Sequence, residues 1–111
     1  MGIGSYQAGD IATGAWQRSD ISNAGNVNIA SGRPIINVLL NPDGGSILTG
    51  SVGFPTNELG DGDIIRIFST GAIVTLTVND ATIIGTALTA IAVGSNGEYI
   101  YDLTGNKWYR F

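Results

Sequence analysis

Cysteine and histidine are both absent from the 111 residues. Without cysteine there is no disulfide framework and no thiolate metal site. Without histidine the chain lacks the commonest general base, the commonest transition-metal ligand and the usual pH switch. A serine or threonine nucleophile has no imidazole to activate it, and a Ser–Lys pair would rest on Lys107 alone. Charge is scarce too, at 13% of residues, with five Lys or Arg and a net charge of −4. A clustered basic face is what nucleic acid requires, and the same deficit disfavours an anionic membrane surface. No apolar run approaches the length of a membrane span. The first residues carry neither the basic nor the apolar part of a signal peptide. Gly2 is present, but Tyr6 stands where myristoylation wants Ser or Thr.

What remains is glycine, with 17 residues, and a hydrophobic fraction of 43%. Mean hydropathy is +0.21. An apolar chain with so few solvating charges risks association as a monomer. A single domain of this size buries only about 65% of its unfolded surface, so burial against other chains is expected.

Along the chain, residues 1–33 scatter single apolar residues among Gly, Ala, Ser, Asn and Asp. They are expected to form an extended N-terminal arm with one short strand near its end, at 26–29. Residues 34–111 are denser and form the expected β-domain. Ile35 to Leu40 is an apolar run closed by Asn41-Pro42-Asp43-Gly44-Gly45. Asp63 to Ser69 and Ala72 to Val78 are predicted strands, the second with Val74, Leu76 and Val78 on one face and Ile73, Thr75 and Thr77 on the other. Residues 81–84 and 87–93 are ambiguous. Their apolar spacing fits a helix, whereas Thr82, Gly85, Thr86 and Thr89 favour strand. Two aromatic runs then flank a turn, so the C-terminus is expected to lie within a sheet. The fold class expected is all-β, a compact antiparallel β-sandwich or barrel-like module with an N-terminal arm.

Few constellations carry chemistry. Glu58, Asp61 and Asp63 supply hard oxygens on a glycine-rich loop, but the spacing fails the EF-hand pattern and a solvated loop explains it. Asp61, Asp63, Asp80, Glu98 and Asp102 follow no rule that would select a pair for glycoside cleavage. No catalytic, cofactor or metal residue is assigned, and an enzyme is not expected. Tyr99 and Tyr101 share one face of a strand and Trp108 sits on the return strand. These rings are expected to close the core. The alternative is a glycan platform of Tyr99, Tyr101, Trp108 and Tyr109. In the arm, Trp16 and Arg18 have the character of partner anchors.

Gly60-Asp61-Gly62-Asp63-Ile64-Ile65-Arg66-Ile67, Val74-Thr75-Leu76-Thr77-Val78, Ala81-Thr82-Ile83-Ile84-Gly85, Gly97-Glu98-Tyr99-Ile100-Tyr101-Asp102 and Lys107-Trp108 together resemble a small β-module. That module recurs in fibre, tailspike and head-decoration proteins of tailed bacteriophages. The resemblance covers about residues 58–111; residues 1–57 carry none. It implies a homotrimer and strand, not helix, over 81–92. With the short length, it implies a capsid decoration or cement protein. Such a protein sits at capsomer junctions on the virion surface after synthesis in the bacterial cytoplasm. The partners expected are the chain itself and the major capsid protein. Ile3, Tyr6, Ile11, Trp16 and Arg18 are the candidate arm contacts. Ile65, Ile67, Val74, Leu76 and Val78 are the candidate oligomer or core faces. The alternative is a short tail-fibre or receptor-binding tip.

Overall fold

The computed structural model describes residues 16–79, 82–84 and 88–111. Nine strands follow one another: β1 (Trp16–Ile21), β2 (Gly25–Asn28), β3 (Ile35–Pro42), β4 (Ser46–Gly53), β5 (Ile64–Ser69), β6 (Ala72–Asn79), β7 (Ile83–Ile84), β8 (Asn96–Asp102) and β9 (Lys107–Arg110). Among the described residues the only helical element is a 3-10 turn, Asp43–Gly45. The fold is all-β.

Its path differs from the antiparallel arrangement expected. β1, β3 and β5 pair in parallel, as do β2, β4 and β6. The chain therefore coils. Each coil places one strand in a first sheet, turns a corner and places the next strand in a second sheet. Three coils, β1 to β6, stack, and β8, β9 and β7 extend the first sheet, giving the orders β1-β3-β5-β8-β9-β7 and β2-β4-β6. The glycine-rich turns that resemble hairpins in the sequence are these corners. Gly71 is one of them: a Cβ there would lie 1.6 Å from the Gly45 carbonyl oxygen, so two stacked corners touch backbone to backbone. Among the described residues, antiparallel pairing joins β5 to β8 and β8 to β9, with one isolated bridge between Ile73 and Ile91.

The expected boundary at residue 33 is not a boundary in the sheets. β1 and β2 are the first coil, in register with β3 and β4. Their inward residues are weakly apolar, which disguises them. Gln17 lies opposite Val38 and Ser19 opposite Leu40. The Gln17 amide is satisfied by donating to the Ala30 carbonyl and accepting from the Ala30 N–H, at 3.0 and 3.1 Å.

The core lies between the two sheets. Ile36, Val38, Leu40, Ile65 and Ile67 enter it from the first sheet, and Ile47, Val52, Ile73 and Leu76 from the second. Burying a side chain of this size is worth about 1.5–3 kcal/mol. The C-terminal residues close one end. β8 pairs along β5, while the Ile73–Ile91 bridge and a bond from the Leu76 N–H to the Thr89 carbonyl run along β6. Phe54 joins this cap to the coils, edge-on to Tyr99 at 5.0 Å and to Trp108 at 5.5 Å.

Candidate interaction surface

Strand alternation gives each sheet an inner and an outer face, and the two outer faces differ in chemistry. On the second sheet the outward residues are mostly small and polar, with Leu48 and Val74 exposed among them. Asn26 pairs with Ser51 and Ser51 with Thr77, and Thr49 pairs with Thr75. The Asn26 Oδ1 accepts from the Ser51 hydroxyl at 2.7 Å and from Asn79 at 3.3 Å, while its Nδ2 donates to Asn28 at 2.9 Å. These groups satisfy one another as a cross-strand ladder.

On the first sheet the outer face carries large apolar side chains set among polar and charged ones. The register aligns Ile35, Ile64, Ile100 and Tyr109 across β3, β5, β8 and β9. A second row aligns Arg18, Leu39, Phe68 and Asn96. Between them lie Trp16, Asn37, Arg66 and Glu98, and Arg66 donates to Glu98 at 3.0 Å. Trp16 meets Phe68 edge-on at 5.1 Å. The row through Ile64 and Ile100 runs across the strands, along the direction in which the coils stack. Ile100 and Tyr109 are each 38% exposed.

The residues expected to act from the sequence are distributed as follows. Ile3, Tyr6 and Ile11 lie outside the described residues. Trp16 and Arg18 are outward residues of β1, on the sheet face and not on a separate arm. Ile65, Ile67 and Leu76 are buried core, so none of them is available to a neighbouring chain. Val78 packs partly against that core and Val74 is exposed. The expected common face for Val74, Leu76 and Val78 is corrected by the burial pattern of β6. Val74 and Thr75 both face out, as do Leu48 and Thr49 one coil earlier, so the alternation shifts and Ile73 and Leu76 point inward.

Tyr99, Tyr101 and Trp108 are buried, as a core reading of the hairpin requires. That corrects the glycan platform: three of its four rings are inside, leaving only Tyr109 at the surface. Their polar atoms are engaged within the fold. The Tyr99 hydroxyl accepts from the Leu88 N–H at 2.9 Å, and the Tyr101 hydroxyl bonds to the Asn106 side chain. Burial pushes the Tyr99 phenol above its ordinary range, opposed by the Leu88 bond and the charge of Arg110.

The acidic loop is likewise committed to structure. Asp63 accepts from Arg33 and from the Gly60 N–H, while Asp61 accepts from the Leu103 N–H. Among the described residues no three His, Cys, Asp or Glu side chains come together. An open groove of about 590 Å³ runs between residues 28–31 and 53–57. Its polar groups are partly spoken for, since Asn28 accepts from Asn26 and Ser31 donates to the Asn57 carbonyl.

Sequence reasoning missed the Ile35–Ile64–Ile100–Tyr109 row. Each member stands beside a buried neighbour of similar hydrophobicity, so only the pairing register separates the faces. No protein-family model, no curated protein and no solved structure matches the chain.

Proposed function

We propose that this chain is a structural virion protein of a tailed bacteriophage. It decorates the capsid as a homotrimer at capsomer junctions, bound to itself and to the major capsid protein. The carrying observation is the apolar row Ile35–Ile64–Ile100–Tyr109 on the outer face of the first sheet, on a chain with few charges. The resemblance over residues 58–111 supplies the viral context. The action is mechanical. Contacts made only with the assembled shell stabilise it by linkage, and a multivalent trimer holds several capsid subunits at once. Ile3, Tyr6, Ile11, Trp16 and Arg18 are the residues proposed to touch the capsid.

The test is sedimentation of the isolated chain, then co-sedimentation with undecorated heads of tailed phages and a thermal-stability assay of those heads. Binding that raises the head-disruption temperature supports the reading. Absence of binding across the panel, with selective retention on a glycan array, overturns it in favour of a receptor-binding tip.

A further inference from the structure

We infer that the outer face of the first sheet is the contact between copies of this chain, with the row Ile35, Ile64, Ile100 and Tyr109 as its seam. The inference rests on the reading of the protein as self-assembling and names the surface that does it.

Three observations select a second copy as the occupant. The first is charge. The ion pair at the middle of the face, Arg66 with Glu98, is internal to it, so its centre offers no net charge to an acidic or basic partner. A copy of a chain with net charge −4 can approach there without like charges opposing at the contact. An identical face presents the matching apolar row. The second is shape. The row follows the coil-stacking direction, so it is a straight line crossing four strands. Copies arranged about an axis parallel to the stack bring these lines together along their whole length. The third is size. Six strands spaced by about 4.8 Å and rising about 3.3 Å per residue, from two residues in β7 to eight in β3, outline roughly 500 Å² in projection, and more as accessible surface. That is the order of the about 800 Å² per partner of a standard interface. Sheets that pack face to face interdigitate such rows at about 10 Å separation.

The second sheet fails the same tests. Its Asn, Ser and Thr side chains bond to one another, and its exposed apolar residues, Leu48 on β4 and Val74 on β6, are a pair on two strands and not a row along the whole stack.

The experiment compares sedimentation equilibrium of the full chain with Ile100→Lys, Ile100→Thr and, on the other sheet, Val74→Lys. Ile100 is partly exposed, so a lysine there reaches water in an isolated copy and need not disturb the core. Ile100→Thr keeps strand preference should the lysine variant fail to fold. Far-UV circular dichroism reports folding of each. The expected result is an oligomer for the parent and for Val74→Lys, with folded species of 11.5 kDa for the Ile100 variants. An oligomer that survives both Ile100 substitutions overturns the assigned face and leaves self-assembly standing. A parent chain that stays at 11.5 kDa at millimolar concentration overturns the face and self-assembly together. If the Ile100 variants dissociate but the parent binds no phage head, the face holds and the capsid role falls.

Discussion

Asp63, 1% exposed, is held by Arg33, whose Nε lies 3.1 and 3.0 Å from its two carboxylate oxygens. The pair joins the starts of two neighbouring coils. Arg33 precedes β3 and Asp63 precedes β5, beside a bond from the Ile64 N–H to the Pro34 carbonyl. Gly60 leaves room for the guanidinium, since a Cβ there would fall 1.8 Å from the Arg33 side chain.

The burial of the pair is lopsided, and that fixes a direction. Arg33 is 58% exposed, so it can turn to water if its partner is lost, whereas Asp63 cannot. Arg33→Ala strands a buried carboxylate with the Gly60 N–H as its remaining identified donor. It is expected to cost about 1.5–3 kcal/mol, below the range for fully buried pairs because the arginine is solvated. Asp63→Asn keeps an oxygen for Gly60 and leaves no buried charge behind, so its cost is expected to be smaller. Urea titration of both variants checks the order. A larger loss in Asp63→Asn would contradict it.

Stacked corners make a second contrast. Gly71 has the Gly45 carbonyl where a Cβ would go, while Gly44, at φ +70°, has open space around it. Gly71→Ala must push two coils apart and is expected to cost about 3 kcal/mol or more, or to prevent folding. Gly44→Ala pays only for left-handed backbone, about 1–2 kcal/mol. Thermal unfolding of the two variants decides the point, and equal losses would show that the corners do not press on each other.

How far the sequence discloses this architecture depends on where its apolar residues fall. β5, β8 and β9 are legible because Ile65, Ile67, Tyr99 and Trp108 alternate with outward residues. β1 is obscure because it turns Trp16 outward and Gln17 inward. Parallel coiling is hidden for another reason: the coils differ in length. Partner offsets run from 21 residues, Trp16 to Asn37, to 29 residues, Asn37 to Arg66. No fixed period marks the repeat. The candidate surface is hidden for the same reason, because Ile64 and Ile65 are chemically alike and only their register assigns one outward.

Phe54 carries the coupling between coils and cap through its contacts with Tyr99 and Trp108. Phe54→Ala is expected to cost about 3–5 kcal/mol. The loss should be uneven. Amides of β8 and β9 exchange faster relative to those of β3 and β4, because the cap opens as its own unit. Native-state hydrogen exchange measures this, and uniform acceleration in all four strands would refute a separable cap.

Tyr99 gives the fold a dependence on alkaline pH whose sign follows from its environment. Desolvation favours the neutral phenol, so the native state binds this proton more tightly than the unfolded chain, whose value is the ordinary 10.0. Below pH 10 the phenol is neutral in both states and its full contribution is present. As pH rises past 10 the unfolded chain ionises first, and stability falls until the folded group also titrates. Absorbance at 295 nm is expected to show one tyrosine ionising later than the rest. Tyr99→Phe keeps the ring beside Phe54 but leaves the Leu88 N–H without this acceptor, at about 1–2 kcal/mol near neutral pH. Its loss of stability above pH 10 is expected to be shallower than in the parent chain. Parallel profiles for the two proteins would mean that the buried phenol is not what the alkaline transition reports.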